Sequence, residues 1–162
     1  MTKPYYHRNL PHWHPPGAAI FLTCRLFGSL PEKVVLQLKE TKRLFEREIT
    51  QARVSPTEIA ELKLKHHKRL FAKIDAVLDR AAFGPRWLEN SGLATLIEDV
   101  LLQRYADLYS LWAYVVMTNH IHLLLRPKLT SPRPEPRTDS FVPLSVITKS
   151  IKGYSAREAN RV

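Results

Sequence analysis

From Ser110 to Leu125 the chain carries no charged residue, and this neutral stretch is interrupted by a turn signal only at Thr118-Asn119. Tyr109 to Met117 is rich in β-formers (Trp112, Tyr114, Val115, Val116) and predicts a strand; His120 to Arg126 predicts a second. A link this short makes the two antiparallel neighbours, a hairpin. Side chains alternate along a strand, so Ile121, Leu123 and Leu125 take one face and can anchor it in a core. His120 and His122 leave from the other. A chain built on such a hairpin needs a sheet with one covered face.

The rest of the chain supplies the cover. Ile20, Leu22, Cys24 and Leu26 alternate with Phe21, Thr23 and Arg25, which predicts a strand within 17–27 with one buried face. Gly28 to Pro31 turns the chain. From Glu32, Val35, Leu38, Leu44, Phe45 and Ile49 fall at helical spacing. Ser55, Pro56 and Glu58 then form an N-cap, first-turn proline and capping box. The second helix carries Ile59, Leu62, Leu70, Ile74 and Leu78, so residues 32–82 read as a helical hairpin ended by Gly84-Pro85. A third helix is expected from Leu93 to about Tyr105, with Leu93, Leu96, Ile97, Val100 and Leu101 in one stripe. Pro143 to Val162 predicts a last helix with Leu144, Ile147 and Ile151 inward, weakened by Gly153. Residues 1–16, rich in aromatics, histidines and prolines, read as an extended arm, and 128–142 as a flexible loop. The whole, 1–162, is expected to form a single domain.

Charge narrows the partner. The formal net charge is +10 and the pI about 9.9. The neutral block lies between an N-terminal stretch without acids (Lys3, Arg8, Arg25) and a basic stretch from Arg126 onward. Excess of one sign at both ends favours a polyanion, with nucleic acid first. A single cysteine, Cys24, cannot form an internal disulfide or a cysteine-based metal site, so a reducing cytoplasm is the default. No stretch reaches the ~18 apolar residues of a membrane span, and the first residues lack a signal peptide's apolar run. There is no glycine-rich phosphate loop, no serine nucleophile elbow and no suggestive carboxylate pair.

His120 and His122, at i and i+2 of one strand, lie about 6.5–7 Å apart along the backbone and can converge on one ion. The competing reading is two polar residues on an exposed strand face. His12-Trp13-His14 repeats the spacing but sits among prolines, where an arm packing by its aromatics is the simpler account. His66-His67, among lysines, read as solvated surface, and Cys24 as a small core residue. Tyr105, Tyr109 and Tyr114 read as core or rim residues.

Taken together these segments resemble a known family. Tyr114-Val-Val-Met-Thr-Asn-His-Ile-His-Leu-Leu-Leu125 resembles the HUH signature (His, hydrophobic, His) of single-tyrosine transposases. The similarity is to the branch associated with repetitive extragenic palindromes in bacterial chromosomes. His7-Arg-Asn-Leu-Pro-His-Trp-His-Pro-Pro-Gly17 with Phe21-Leu-Thr-Cys-Arg-Leu26 is similar to that branch's opening arm and first strand. Pro143-Leu-Ser-Val-Ile with Lys152-Gly-Tyr-Ser-Ala-Arg157 is similar to its helix after the HUH strand. Thr118 departs from the family's usual proline.

The resemblance implies an α+β, ferredoxin-like HUH core: an antiparallel sheet from 17–27, 109–117 and 120–127, helices on one face, and the 32–82 hairpin as an insertion. It implies a divalent ion, Mg²⁺ or Mn²⁺, on His120 and His122, polarising a DNA phosphate. In the family a tyrosine in a Tyr-Ile-x-x-Asn-Pro-Val-like segment of a later helix attacks phosphorus, leaving a 5′-phosphotyrosine. That segment, with the fourth strand, is expected beyond Val162; Tyr154 aligns with a different family position and is only a weak candidate for the role. Single-stranded or hairpin DNA from repetitive palindromes is the implied partner, held by Arg8, Trp13, Arg126, Lys149, Lys152 and Arg157, and a homodimer through a sheet edge is common among relatives. Two other readings stay open: a cleavage-inactive DNA-binding module, and a metal-dependent hydrolase with a water nucleophile.

Overall fold

The computed structural model describes residues 5–7, 11–13, 17–130 and 141–161, with the side chains of 5–7, 11–13 and 104–106 outside the description. The chain divides into two compact units, residues 1–24 with 87–162, and residues 25–86.

The first unit is α+β. The expected arm contains two three-residue strands, β1 (Tyr5–His7) and β2 (Pro11–Trp13), paired antiparallel with Tyr5 opposite Trp13. Three further strands, β3 (Ile20–Arg25), β4 (Tyr109–Val116) and β5 (His120–Pro127), form an antiparallel sheet in the order β3-β5-β4. The predicted hairpin is β4 with β5, in a register that sets Tyr114 opposite Leu123 and Val115 opposite His122. A bulge between Leu111 and Ala113 takes up Trp112, which is exposed. Asn in so short a link usually supplies a positive φ. Here Ala81 is the one non-glycine described residue with positive φ, so Asn119 is not retained for the backbone.

Alternation sorts the sheet's faces as the sequence predicts. Ile121, Leu123 and Leu125 are buried with Leu101, Tyr109, Val142, Ile147 and Ile151, and Ile20, Leu22 and Cys24 pack against them. The covering helices are α3 (Ser91–Leu108), in which Asn90 Oδ1 accepts from the Leu93 amide, and α4 (Leu144–Ala159), which continues through Gly153. Fully burying a side chain such as Leu123 contributes about 1.5–3 kcal/mol. Tyr109, read as core or rim, is core: its hydroxyl donates to the Leu101 carbonyl at 2.7 Å. Residues 131–140 of the expected flexible loop lie outside the described residues. The loop's ends are tied together by a bridge between Leu129 and Phe141 and by the Val142 amide donating to Lys128 O at 2.8 Å.

The second unit holds the predicted helical hairpin, α1 (Glu32–Gln51) and α2 (Pro56–Asp79). The capping box forms as read: the Ser55 hydroxyl accepts from the Glu58 amide and the Glu58 carboxylate from the Ser55 amide. Gly84, at φ +80°, lies where a Cβ would strike the Gly28 carbonyl and the Ser29 Cα, so this closure of the unit requires glycine. Leu44 and Leu62, expected on the apolar faces, are 52% and 41% exposed, because two helices touching along one line bury only the residues beside it.

His66 and His67 correct the reading of solvated surface. The His66 ring stacks on Phe45 at 3.8 Å, and His66 Nε2 and His67 Nδ1 are buried with no hydrogen-bond partner among the described residues. The neighbouring lysines misled because consecutive helical positions point about 100° apart, which turns His66 and His67 inward while Lys65 and Lys68 stay out. Burial holds both imidazoles below the ordinary 6.5, with Arg69 adding to the effect at His66. The unfolded chain therefore takes up protons first as pH falls, and stability present above about pH 6.5 is lost on acidification. The denaturation midpoint is expected to drop between pH 7.5 and 5, and His66→Phe with His67→Leu to flatten that drop.

Candidate metal centre

β5 places the site by strand periodicity alone. His120 and His122 project from the face opposite Ile121, Leu123 and Leu125, and their Nε2 atoms lie 3.0 Å apart. The rings meet edge to face, with centroids 4.6 Å apart. His120 is fully buried and His122 half-buried, so the pair faces solvent through His122. Phe21, on the same face of β3, lies with its ring 5.1 Å from that of His122.

Each imidazole is steered from behind. Asn119 Oδ1 accepts from His120 Nδ1 at 2.7 Å, which leaves the lone pair of His120 on Nε2. On the far side Thr23 Oγ1 lies 3.0 Å from His122 Nδ1. In the neutral pair the Thr23 hydroxyl donates to His122 Nδ1 and His122 Nε2–H donates to His120 Nε2. If the His122 proton sits on Nδ1 instead, Thr23 accepts it and both Nε2 lone pairs face one point. Such partners on the non-ligating nitrogen fix tautomer and ring orientation in histidine metal sites.

The donor set fits a cation. Nitrogens each about 2.1 Å from one ion can be no more than about 4.2 Å apart, and 3.0 Å meets that limit. His120 and His122 therefore form a possible metal-binding group; imidazole ligation suits Zn, Cu, Fe and Ni, whereas Mg and Mn prefer oxygen donors.

The other expected site residues are distributed differently. Arg126 shares the histidine face, and its Nε donates to the Gly17 carbonyl at 2.7 Å, which fastens the entry to β3. Lys149, Lys152 and Arg157 are exposed on α4, the helix that covers the opposite face through Ile147 and Ile151, so the structure does not gather them with the histidines. Arg8 lies outside the described residues, as does the side chain of Trp13. Tyr154 is half-buried on α4 with the Arg157 guanidinium 5.1 Å from its ring centre. Burial pushes the Cys24 thiol up, against the smaller effect of the Lys152 ammonium, so it is no thiolate nucleophile at neutral pH.

Sequence reasoning missed Asn119 and Thr23 as orienting residues. Asn119 looked like a turn residue. Thr23 could have been found from its parity, opposite Ile20, Leu22 and Cys24 on β3. Compared with protein-family models, curated proteins and solved structures, the chain matches none.

Proposed function

We propose that this chain is a DNA-acting protein of the HUH transposase type, in which His120 and His122 hold a divalent ion, Mg²⁺ or Mn²⁺, against a DNA phosphate. The observation that carries the reading is the pair of Nε2 atoms 3.0 Å apart on one strand face, each ring steered by its own partner, Asn119 or Thr23. The bound ion would supply Lewis-acid polarisation of a phosphodiester. The net charge of +10 supports a phosphate-bearing partner. The element order β3-α3-β4-β5-α4 with sheet order β3-β5-β4 supports a ferredoxin-like core, since it supplies five of the six elements of that β-α-β-β-α-β pattern.

A second reading, a DNA-binding module without cleavage, is favoured by where the tyrosines point. Tyr109 and Tyr114 lie on the core side, and Tyr154 stands on the helix covering that side. None of these three projects from the histidine face. The expected result with a 3′-labelled hairpin oligonucleotide and Mn²⁺ is binding without a covalent protein–DNA adduct. An adduct lost on Tyr154→Phe would overturn the binding-module reading and make Tyr154 the nucleophile. Failure to bind DNA with or without metal would overturn both.

A further inference from the structure

The two helices of the 25–86 unit carry the same basic pattern with different neighbours. On α1, Lys39, Arg43 and Arg47 stand at i, i+4 and i+8. Arg43 forms two hydrogen bonds to the Glu40 carboxylate, Lys42 pairs with Glu46 at 3.7 Å, and Arg47 adds to the field that lowers the Glu40 pKa. On that face Arg43 is paired, and the field of Arg47 also reaches Glu40. On α2, Lys65, Arg69 and Lys73 repeat the i, i+4, i+8 spacing, and Arg80 follows just past the helix end; all four are exposed.

At about 100° per residue these four positions fall within an arc of about 80°, and they extend about 22 Å along the axis. Beyond the first turn, where Glu58 is held in the capping box, no acid falls in that arc; Glu61 and Asp79 lie at its border, beside exposed Lys68. Among the described residues none of Lys65, Lys68, Arg69, Lys73 or Arg80 forms an ion pair. Like charges at i, i+4 cost a helix about 0.2–0.5 kcal/mol per pair. The stripe therefore carries a folding penalty that the Arg43–Glu40 pair lessens on α1, and an external anion would relieve it.

We propose that Lys65, Arg69, Lys73 and Arg80, with Lys68 beside them, dock on the phosphate backbone of double-helical DNA. The inference rests on DNA being the partner and names a contact surface separate from the histidine pair. A row of four cations about 22 Å long faces a duplex that carries one phosphate per about 3.4 Å of axis on each strand, so every cation has a phosphate within reach. Ala76 lies in the same arc and Ala72 just outside it, and both keep the surface low between the charges. No aromatic ring projects from it, and stacking rings are what a single-strand platform needs. Contact of this kind is independent of sequence and sensitive to salt.

The test measures affinity of the full chain for a blunt 25-base-pair duplex by fluorescence anisotropy across a salt series. Lys65→Gln/Arg69→Gln/Lys73→Gln is expected to reduce the slope of log affinity against log salt by about 2.7, at about 0.9 per phosphate contact. Lys39→Gln/Arg43→Gln/Arg47→Gln removes equal charge from the neighbouring helix and should leave the slope within about 1 of wild type. Lys65→Arg/Lys73→Arg, which keeps the charge, should retain the wild-type slope. Equal losses from both glutamine variants would overturn the proposal in favour of net charge alone. An unchanged slope in the α2 variant, with wild-type binding intact, would overturn it while leaving the DNA reading in place. No duplex or hairpin binding by the wild type even at low salt would remove both.

Discussion

His122→Ala is expected to weaken divalent-ion binding by about 100-fold or more, since loss of a mere orienting partner in such sites already costs 10–100-fold. His122 is the informative position because it is half-buried, so water can take its place beside Thr23 Oγ1 and His120 Nε2. His120 is fully buried with Nδ1 committed to Asn119, and its removal would strip a buried carboxamide of its partner as well as the ion of a ligand. Thr23→Val, which keeps the shape and removes the hydroxyl facing His122 Nδ1, should weaken binding by about 10–100-fold without affecting the fold. Titration calorimetry with Mn²⁺ on the purified chain reads both values. Undiminished affinity in His122→Ala would place the ion elsewhere.

Leu123→Ala carries the largest expected stability effect. Leu123 is fully buried on the middle strand of the sheet, packed among Ile121, Leu125, Ile147 and Ile151 and opposite Tyr114. Truncating it removes apolar contacts and leaves a cavity that the sheet and two helices can only partly close. The expected cost is about 2–5 kcal/mol, a large share of the roughly 5–15 kcal/mol that holds a domain together. Leu124→Ala, one residue on but facing away from that cluster, should cost much less, because Leu124 is only half-buried. Denaturant midpoints of the two variants measure the contrast. A larger loss in Leu124→Ala would mean that the faces of β5 are assigned the wrong way round, and equal losses would contradict the contrast.

That alternation is also what made the site legible in sequence. A strand's period of two is rigid, so once Ile121, Leu123 and Leu125 are assigned to the core, His120 and His122 must share the other side. Ser55-Pro56-x-Glu58 gave the start of α2 to the residue, because a capping box is a local structure whose partners all lie within one turn. What the sequence hid was set by contacts distant along the chain. Thr23 meets His122 across 99 positions, and no local pattern announces such a meeting. Arg126, expected to hold DNA, donates through Nε to the Gly17 carbonyl 109 positions away. His66 and His67 were judged by their lysine neighbours, whereas helical geometry turns those neighbours outward and the imidazoles in against Phe45. Lys149, Lys152 and Arg157, expected from the resemblance and their charge to hold DNA near the histidines, stand on a helix that packs on the opposite side of the sheet.

The central claim, that His120 and His122 jointly hold one divalent ion, is tested most directly by imidazole nitrogen NMR of the wild-type chain during Mn²⁺ addition. The chain has seven histidines. Paramagnetic broadening is expected first, and at the same metal concentration, at the Nε2 resonances of His120 and His122, while those of His66 and His67 persist. Broadening that spares this pair, or that reaches one of its members without the other, would contradict the claim.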